Sequence, residues 1–252
     1  MTHYRRLLPF LAVAIFIAIW HLVLAQHPSS LVPRPAAVAA AIGELASKGL
    51  LVKYVVASLF RVTWGYLLGV AIAIPLGILL GLSRRGEAAF NPLIQLLRPI
   101  SPLAWIPIAI LWFGVGDLSA IFLILIASFL PMLAASMNAV RNVDAIYIHA
   151  GRNFGLSDRR MITSILVPAM MPEMIVALRL TLGISWLVVV AAEMIAVNSG
   201  LGFLIIEARN SGNRYDLVVA GMVLIGAIGL VLDTMMRRLE RLDAVRWGYA
   251  TP

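Results

Sequence analysis

Apolar residues in this chain run in long blocks rather than in the two- or three-residue alternation of a half-buried strand or surface helix. The blocks lie at roughly 7–25, 62–82, 101–116, 118–140, 170–197 and 216–236. Crossing a bilayer takes about 20 such residues. The pattern therefore predicts an all-α integral membrane protein with about six transmembrane helices. The third block is short and is interrupted by Pro99, Pro102 and Pro107. A broken helix is tolerated at membrane depth only where protein or a water-filled cavity satisfies its freed backbone groups.

The stretches between the blocks are uneven. Residues 35–60, opened by Pro33 and Pro35, read as an interfacial helix leading into the second span. Residues 198–215 are broken by Gly200 and Gly202, and their apolar FLII predicts a short helix dipping back towards the membrane. The first block follows Arg5 and Arg6, and VLAQ at 23–26 resembles a signal-peptide cleavage site. The block is longer than a usual signal core, so it reads as a retained span. With no tandem repeat or low-complexity linker, the chain reads as one transmembrane domain, 1–252.

The polar stretch 149–168, HAGRNFGLSDRRMITSILVP, stands out. A connection between two spans needs only about 2–8 residues; this one has structure of its own. Asp144 to Phe154 predicts a helix. Gly155 suits the left-handed residue that ends it. Ser157 is placed to cap a second helix, with Asp158 in its first turn, and Pro168 is placed to follow it. The product is a helix-turn-helix between spans 4 and 5.

Composition agrees with the pattern. The 252 residues are 62% hydrophobic and 13% charged, with a mean hydropathy of +0.96, whereas soluble domains are about 45–50% apolar and about 25% charged. Cysteine is absent, which excludes disulfides, thiolate metal sites and thiol nucleophiles. His3, His21, His27 and His149 form no close pair, and no HExxH is present. The net charge of +8 is explained by where the cations sit. With the N-terminus inside, thirteen Lys and Arg fall on inner segments and six (Arg34, Lys48, Lys53, Arg61, Arg209, Arg214) on outer ones. That excess places both termini and the helix-turn-helix on the cytoplasmic side and makes nucleic acid an unnecessary partner.

The helix-turn-helix resembles the loop of the membrane subunits of binding-protein-dependent ABC importers, whose pattern is E-A-A, three residues, G, nine residues, I-x-L-P. Here His149-Ala150-Gly151, Gly155 and Ile165-Leu166-Val167-Pro168 keep the spacing, while His149, Gly151 and Val167 depart from the usual residues. RPISPLAWIPIAILWFGVGD at 98–117 and AAEMIAVNSGLGFLIIEARN at 191–210 resemble the branch that carries nitrate, sulfonates, taurine and bicarbonate; the likeness spans about 54–240. The resemblance implies a type I ABC importer permease fold and a non-enzymatic role as the permease half of an ATP-driven uptake system. It implies two copies of an ABC ATPase subunit that bind ATP and Mg, a second permease copy, and a periplasmic substrate-binding protein. The chain itself has no GxxxxGK[ST] phosphate loop. Carried onto this sequence, the ATPase-docking residues are Arg152, Asn153, Phe154, Gly155, Leu156, Ser157 and Asp158, with Phe154 and Leu156 as apolar anchors.

Candidates for the translocation path are weaker. Glu193, near the outer end of span 5, either lines the path or is a structural partner of a basic side chain or backbone amides in 198–215, with Arg209 a candidate. Ser101, Trp105 and Ser185 sit beside proline or glycine breaks where a cavity could open, although Trp105 equally suits an interface anchor. Arg179 either attracts an anion or snorkels to headgroups. An ion-coupled secondary carrier is the alternative function, but such carriers often show inverted repeats and midplane ionisable residues, whereas this chain has no obvious repeat and few intramembrane charges. An intramembrane protease would need a nucleophile beside histidine within the spans.

Overall fold

The computed structural model describes residues 2–26 and 31–239; His27, Arg241 and Arg246 lie outside the described residues. These form eleven α-helices: α1 (Thr2–Ala25), α2 (Pro35–Ser47), α3 (Leu50–Leu82), α4 (Arg84–Leu97), α5 (Ile106–Phe113), α6 (Asp117–Arg141), α7 (Ala145–Asn153), α8 (Asp158–Met161), α9 (Val167–Ala196), α10 (Leu201–Asn210) and α11 (Tyr215–Leu239). A 3-10 turn (Pro102–Trp105) precedes α5, and a π-turn (Ile162–Leu166) joins α8 to α9.

Among the described residues, α3, α6, the continuous run Asp158–Ala196 and α11 are each long and apolar enough to cross a bilayer. Helix α4 and the Pro102–Phe113 segment form a pair bent by 85°, together a fifth crossing, and α1 adds a shorter apolar stretch, Phe10–Ala25. Large side chains are exposed along α1, including Phe10, Phe16 and Leu22; apolar exposure of this kind suits lipid contact.

Two expectations change. The interfacial helix over 35–60 is two elements, because Gly49 adopts φ +69 and closes α2 with its N–H on the Ala46 carbonyl at 3.0 Å. Helix α3 then runs 33 residues from Leu50, about 50 Å at 1.5 Å per residue, and so projects well beyond the hydrocarbon. Residues 84–97, the connection between the second and third apolar blocks, are helical: the Ser83 side chain accepts from the Gly86 N–H and starts α4. Pro168 does not follow a finished helix. The chain passes from α8 into α9, and the wider π-turn makes room for a ring that a strict α-helix would drive into the carbonyl four residues back.

Packing centres on α3, α6 and α9. Gly65, Gly69, Gly77 and Gly81 form one stripe of α3 against α6; a Cβ at Gly65 would come within 2.6 Å of Ile124, and one at Gly69 would run into Ser128. Small residues let two backbones approach in lipid, where dispersion rather than water exclusion drives association. Ser128 and Ser136, buried in that seam, satisfy their hydroxyls on the Ile124 and Met132 carbonyls at 3.0 and 2.7 Å. Gly69→Ala should therefore destabilise by about 1–3 kcal/mol through overpacking despite the better helix propensity of alanine. Gly43→Ala, where an added Cβ meets nothing within 4 Å, should stabilise by about 0.5–1 kcal/mol. Thermal unfolding of the detergent-solubilised chain reads both signs.

Helix α11 is tied to α9 by polar contacts. Trp186 Nε1 donates to the Ile225 carbonyl at 3.1 Å, and Arg179 Nε bonds Asp233 Oδ1 at 2.6 Å. Arg179 is thus paired with a carboxylate on the neighbouring helix instead of reaching for headgroups. At the end opposite α7, Arg214 bridges Glu44 of α2 and Asp216 of α11, both at 2.7 Å. Arg214 and then Lys48 hold the Glu44 carboxyl down to about 2.

Candidate functional site

The loop between α6 and α9 is built by its own local chemistry. Asp144 Oδ1 accepts from the Ile146 N–H at 2.9 Å and starts α7. Gly155, at φ +70, lets the chain reverse: its N–H reaches the Arg152 carbonyl at 2.9 Å, and the Leu156 N–H reaches the Gly151 carbonyl at 3.1 Å. These are the paired 5→2 and 6→1 bonds of a Schellman closure. Ser157 takes the extended conformation ahead of α8, but its side chain makes no capping bond; its carbonyl accepts from the Met161 N–H at 2.8 Å.

The result is a rigid knuckle. Phe154, at its tip, is 86% exposed. Arg152, Asn153, Ser157 and Asp158 are exposed around it. Leu156 differs from expectation: it is half-buried, packed against the core at the loop end of the spans, so it anchors the turn to the protein instead of offering itself outward. An apolar groove of about 460 Å³ runs beside Phe154, between α7 and the start of α9, lined by Tyr147, Ala150, Leu156, Ile165 and Pro168 among others. At Gly151 an added Cβ would come within 2.8 Å of Met161 and 2.5 Å of Ile165, in each case at the outer end of the side chain. His149 is exposed and, as an imidazole, supplies no carboxylate for an ion pair.

The knuckle is mechanically continuous with the far end of the molecule. Asp158–Ala196 spans 39 residues, about 58 Å at 1.5 Å per residue. Near its far end lies a buried ionic cluster. Glu193 is 0% exposed and Arg61, from α3, 2%; Arg61 Nη1 donates to Glu193 Oε1 at 2.7 Å and to the Ser199 carbonyl at 2.8 Å. Arg61 Nε donates to Asp117 Oδ1 at 2.8 Å, and Nη2 donates to Ser199 Oγ. The other Glu193 oxygen accepts from Ser58 Oγ and the Gly202 N–H, both at 2.9 Å, while Ser58 Oγ accepts from the Leu201 N–H at 3.0 Å. Ser58 and Glu193 thereby satisfy the first two N–H groups of α10, which a helix start otherwise leaves orphaned. Gly200 and Gly202 pass so close to Glu193 that neither has room for a Cβ.

The cation on Glu193 is therefore Arg61, not Arg209. Arg61 read as an outer-boundary charge because the second apolar block begins at residue 62; the signal for it was a lone arginine inside SLFRVTWGYLL. The remaining path candidates are not brought together. Ser101 caps the 3-10 turn by accepting from the Leu103 N–H at 3.3 Å. Trp105 is half-buried against the core at the far end. Ser185 is fully buried in α9 and its hydroxyl has no hydrogen-bond partner among the described residues.

Three comparisons bear on this arrangement. A family model described as "Binding-protein-dependent transport system inner membrane component" matches residues 73–242. A putative ABC transporter permease protein of Methanocaldococcus jannaschii is 44% identical over 193 residues, 76% of this chain and 72% of that one. A putative aliphatic sulfonates transport permease protein of Bacillus subtilis is 34% identical over 236 residues, covering 93% and 85%. In fold, a chain of the MetNI methionine ABC transporter in an inward-facing conformation aligns with a TM-score of 0.67 at 20% identity, over 78% of this chain and 97% of that one.

Proposed function

The chain belongs to the family of binding-protein-dependent transport system inner membrane components, and from that premise we propose how it works and what it carries. It is a permease subunit, and ATP hydrolysis belongs to a separate subunit. Two copies of it pair with two ATPases, which bind ATP and Mg. Each knuckle seats Phe154 in an apolar pocket of an ATPase, with Asn153 orienting the contact and Gly155, Leu156 and Ser157 fixing the shape of the turn; Arg152 and Asp158 line a separate cavity behind the knuckle and are left out of the contact. Both termini and the knuckle are cytoplasmic, in keeping with the distribution of Lys and Arg.

The observation that carries this reading is a fully exposed phenylalanine on a turn that is locked by its own backbone and joined without interruption to α9. A surface phenylalanine held rigidly beside an apolar groove is suited to a partner's pocket, because little freedom remains to be lost on docking. When the ATPases close, the knuckles move and α9 carries the displacement to the ionic cluster and α10 at the far end. That end then opens to a solute delivered by the periplasmic binding protein. The transition is a rigid-body switch between two packings.

The cargo is a small anion such as a sulfonate, taurine, nitrate or bicarbonate, as supported by the Bacillus subtilis relative and by the branch motifs at 98–117 and 191–210. The buried pair Arg61–Glu193 and the half-buried pair Arg179–Asp233 are internally compensated, which disfavours an ion-coupled carrier. In proteoliposomes, uptake of radiolabelled taurine or ethanesulfonate should require ATP, the ATPase and the binding protein together. Uptake driven by a proton or sodium gradient, with the ATPase omitted, would overturn the assignment.

A further inference from the structure

A cavity of about 570 Å³ lies at the loop end of α3, α6 and α9. It uses the face of α7 carrying Ala145, Ile148 and Arg152, whereas the docking groove uses Tyr147, Ala150, Gly151 and Phe154. At 100° per residue these two sets fall on opposite sides of the helix. The cavity therefore stays on the membrane side of the knuckle when the other face is occupied by an ATPase.

Its lining has two characters. Leu82, Val140, Val143, Ile148 and Leu166 give it aliphatic walls. Arg84, Arg141 and Arg152 supply three cations against two carboxylates, Glu87 and Asp158. Arg141 is already paired with Glu87. The Arg84 and Arg152 side chains make no hydrogen bond or ion pair among the described residues. The depth is set by the elements: Gly81 and Leu82 end one span, Val140 and Arg141 end a second, and Leu166 directly precedes the third. Aliphatic walls at the ends of spans, closed by two unpaired guanidinium groups, match an amphiphile with an anionic head. A free phosphate would use the arginines and leave the aliphatic walls without purpose.

We infer that this cavity binds the headgroup of an anionic glycerophospholipid of the leaflet facing the knuckle. The phosphodiester is held between Arg84 and Arg152, and the glycerol and first acyl methylenes lie along Leu82, Val140 and Ile148. Guanidinium groups form charge-assisted, often bidentate hydrogen bonds to phosphate. The bound lipid would link the α3–α4 corner to the knuckle and become part of the surface through which the loop moves the spans. The inference rests on the orientation proposed above, but its test needs neither transport nor the ATPase, so the two readings fail separately.

The full-length chain is purified in detergent, incubated with 1-palmitoyl-2-oleoyl-phosphatidylglycerol or the matching phosphatidylcholine, and examined by native mass spectrometry. Phosphatidylglycerol should be retained about tenfold better than phosphatidylcholine, and Arg84→Gln should remove about that tenfold. Arg85→Gln, at the exposed neighbour that does not line the cavity, should retain the lipid. Ala145→Trp, which fills the cavity without altering charge, should expel it even if the Arg84 variant folds poorly. Equal retention of the two lipids would overturn the site. So would equal losses from Arg84→Gln and Arg85→Gln, retention by Ala145→Trp, or displacement of the lipid by millimolar inorganic phosphate.

Discussion

Phe154→Asp should release the ATPase from this permease while leaving the permease folded and inserted. The side chain is 86% exposed, so within the chain itself the substitution should stay inside the roughly ±0.5 kcal/mol usual for surface changes. The turn that presents it is closed by backbone bonds from Gly155 and Leu156, which do not depend on the identity of residue 154. At a docked interface the same residue is a buried aromatic anchor, and truncating such an anchor costs about 2–4 kcal/mol. Aspartate adds the cost of burying an unpaired charge. Together these predict at least a hundredfold loss of affinity, read as loss of ATPase co-purification with unchanged permease yield and thermal midpoint. Phe154→Leu should retain most of the complex, because an apolar side chain still fills the pocket. Leu156→Asp should instead lower the yield of the permease itself, since Leu156 packs inward. An intact complex carrying Phe154→Asp would show that the knuckle does not dock through its tip.

The contrast between those two neighbours shows how far the sequence could be read. The helix-turn-helix was legible because its determinants are local: an aspartate at a helix start, a glycine at the reversal, and spacing of a few residues. The same locality made the broken third span legible from its prolines. Pro168 misled because a proline reads as a stop, and only the π-turn before it allows the chain to continue into α9. Ser157 misled because the residue type suits a cap while the side chain makes no such bond. The ionic cluster was harder. Arg61 and Glu193 are 132 residues apart, and nothing in either neighbourhood specifies the other. What the sequence offered was a lone arginine and a lone glutamate, each within apolar surroundings. Two opposite charges stranded in apolar segments are better compensated by each other than by solvent, and that rule would have favoured Arg61 over Arg209 had the second span been started at Leu50. Arg179 and Asp233 obey the same rule. The glycine stripe of α3 lay in plain view at positions 65, 69, 77 and 81, but its spacing acquires meaning only once α6 is known to be the facing helix.

Arg61→Met should be among the most damaging single substitutions in the chain, and the reason separates it from its partners. Arg61 joins α3 to Glu193 of α9, to Asp117 at the start of α6, and to Ser199 just ahead of α10. Removing it strands Glu193, fully buried, with hydroxyl and amide donors but no cation. Breaking one side of a buried ion pair costs about 3–5 kcal/mol, a fall of roughly 6–20 °C in the unfolding midpoint for a chain of this size. Asp117→Asn should cost under about 1 kcal/mol, because that carboxylate is 57% exposed and its pair is screened. The decisive comparison is Arg61→Met with Glu193→Gln. Glutamine keeps an oxygen for Ser58 and the Gly202 N–H, and it removes the uncompensated charge. The double variant should therefore recover part of the stability lost by Arg61→Met alone, a non-additivity expected only if the two groups act as a pair. An Arg61→Met midpoint within about 2 °C of the parent, less than the shift expected for 1 kcal/mol, would mean that the charges do not hold the far end together. A double variant no more stable than the single would mean that they do so independently. Either result would also remove the reason for expecting motion of α9 to be transmitted to α10, since Glu193 is the residue through which one helix grips the start of the other.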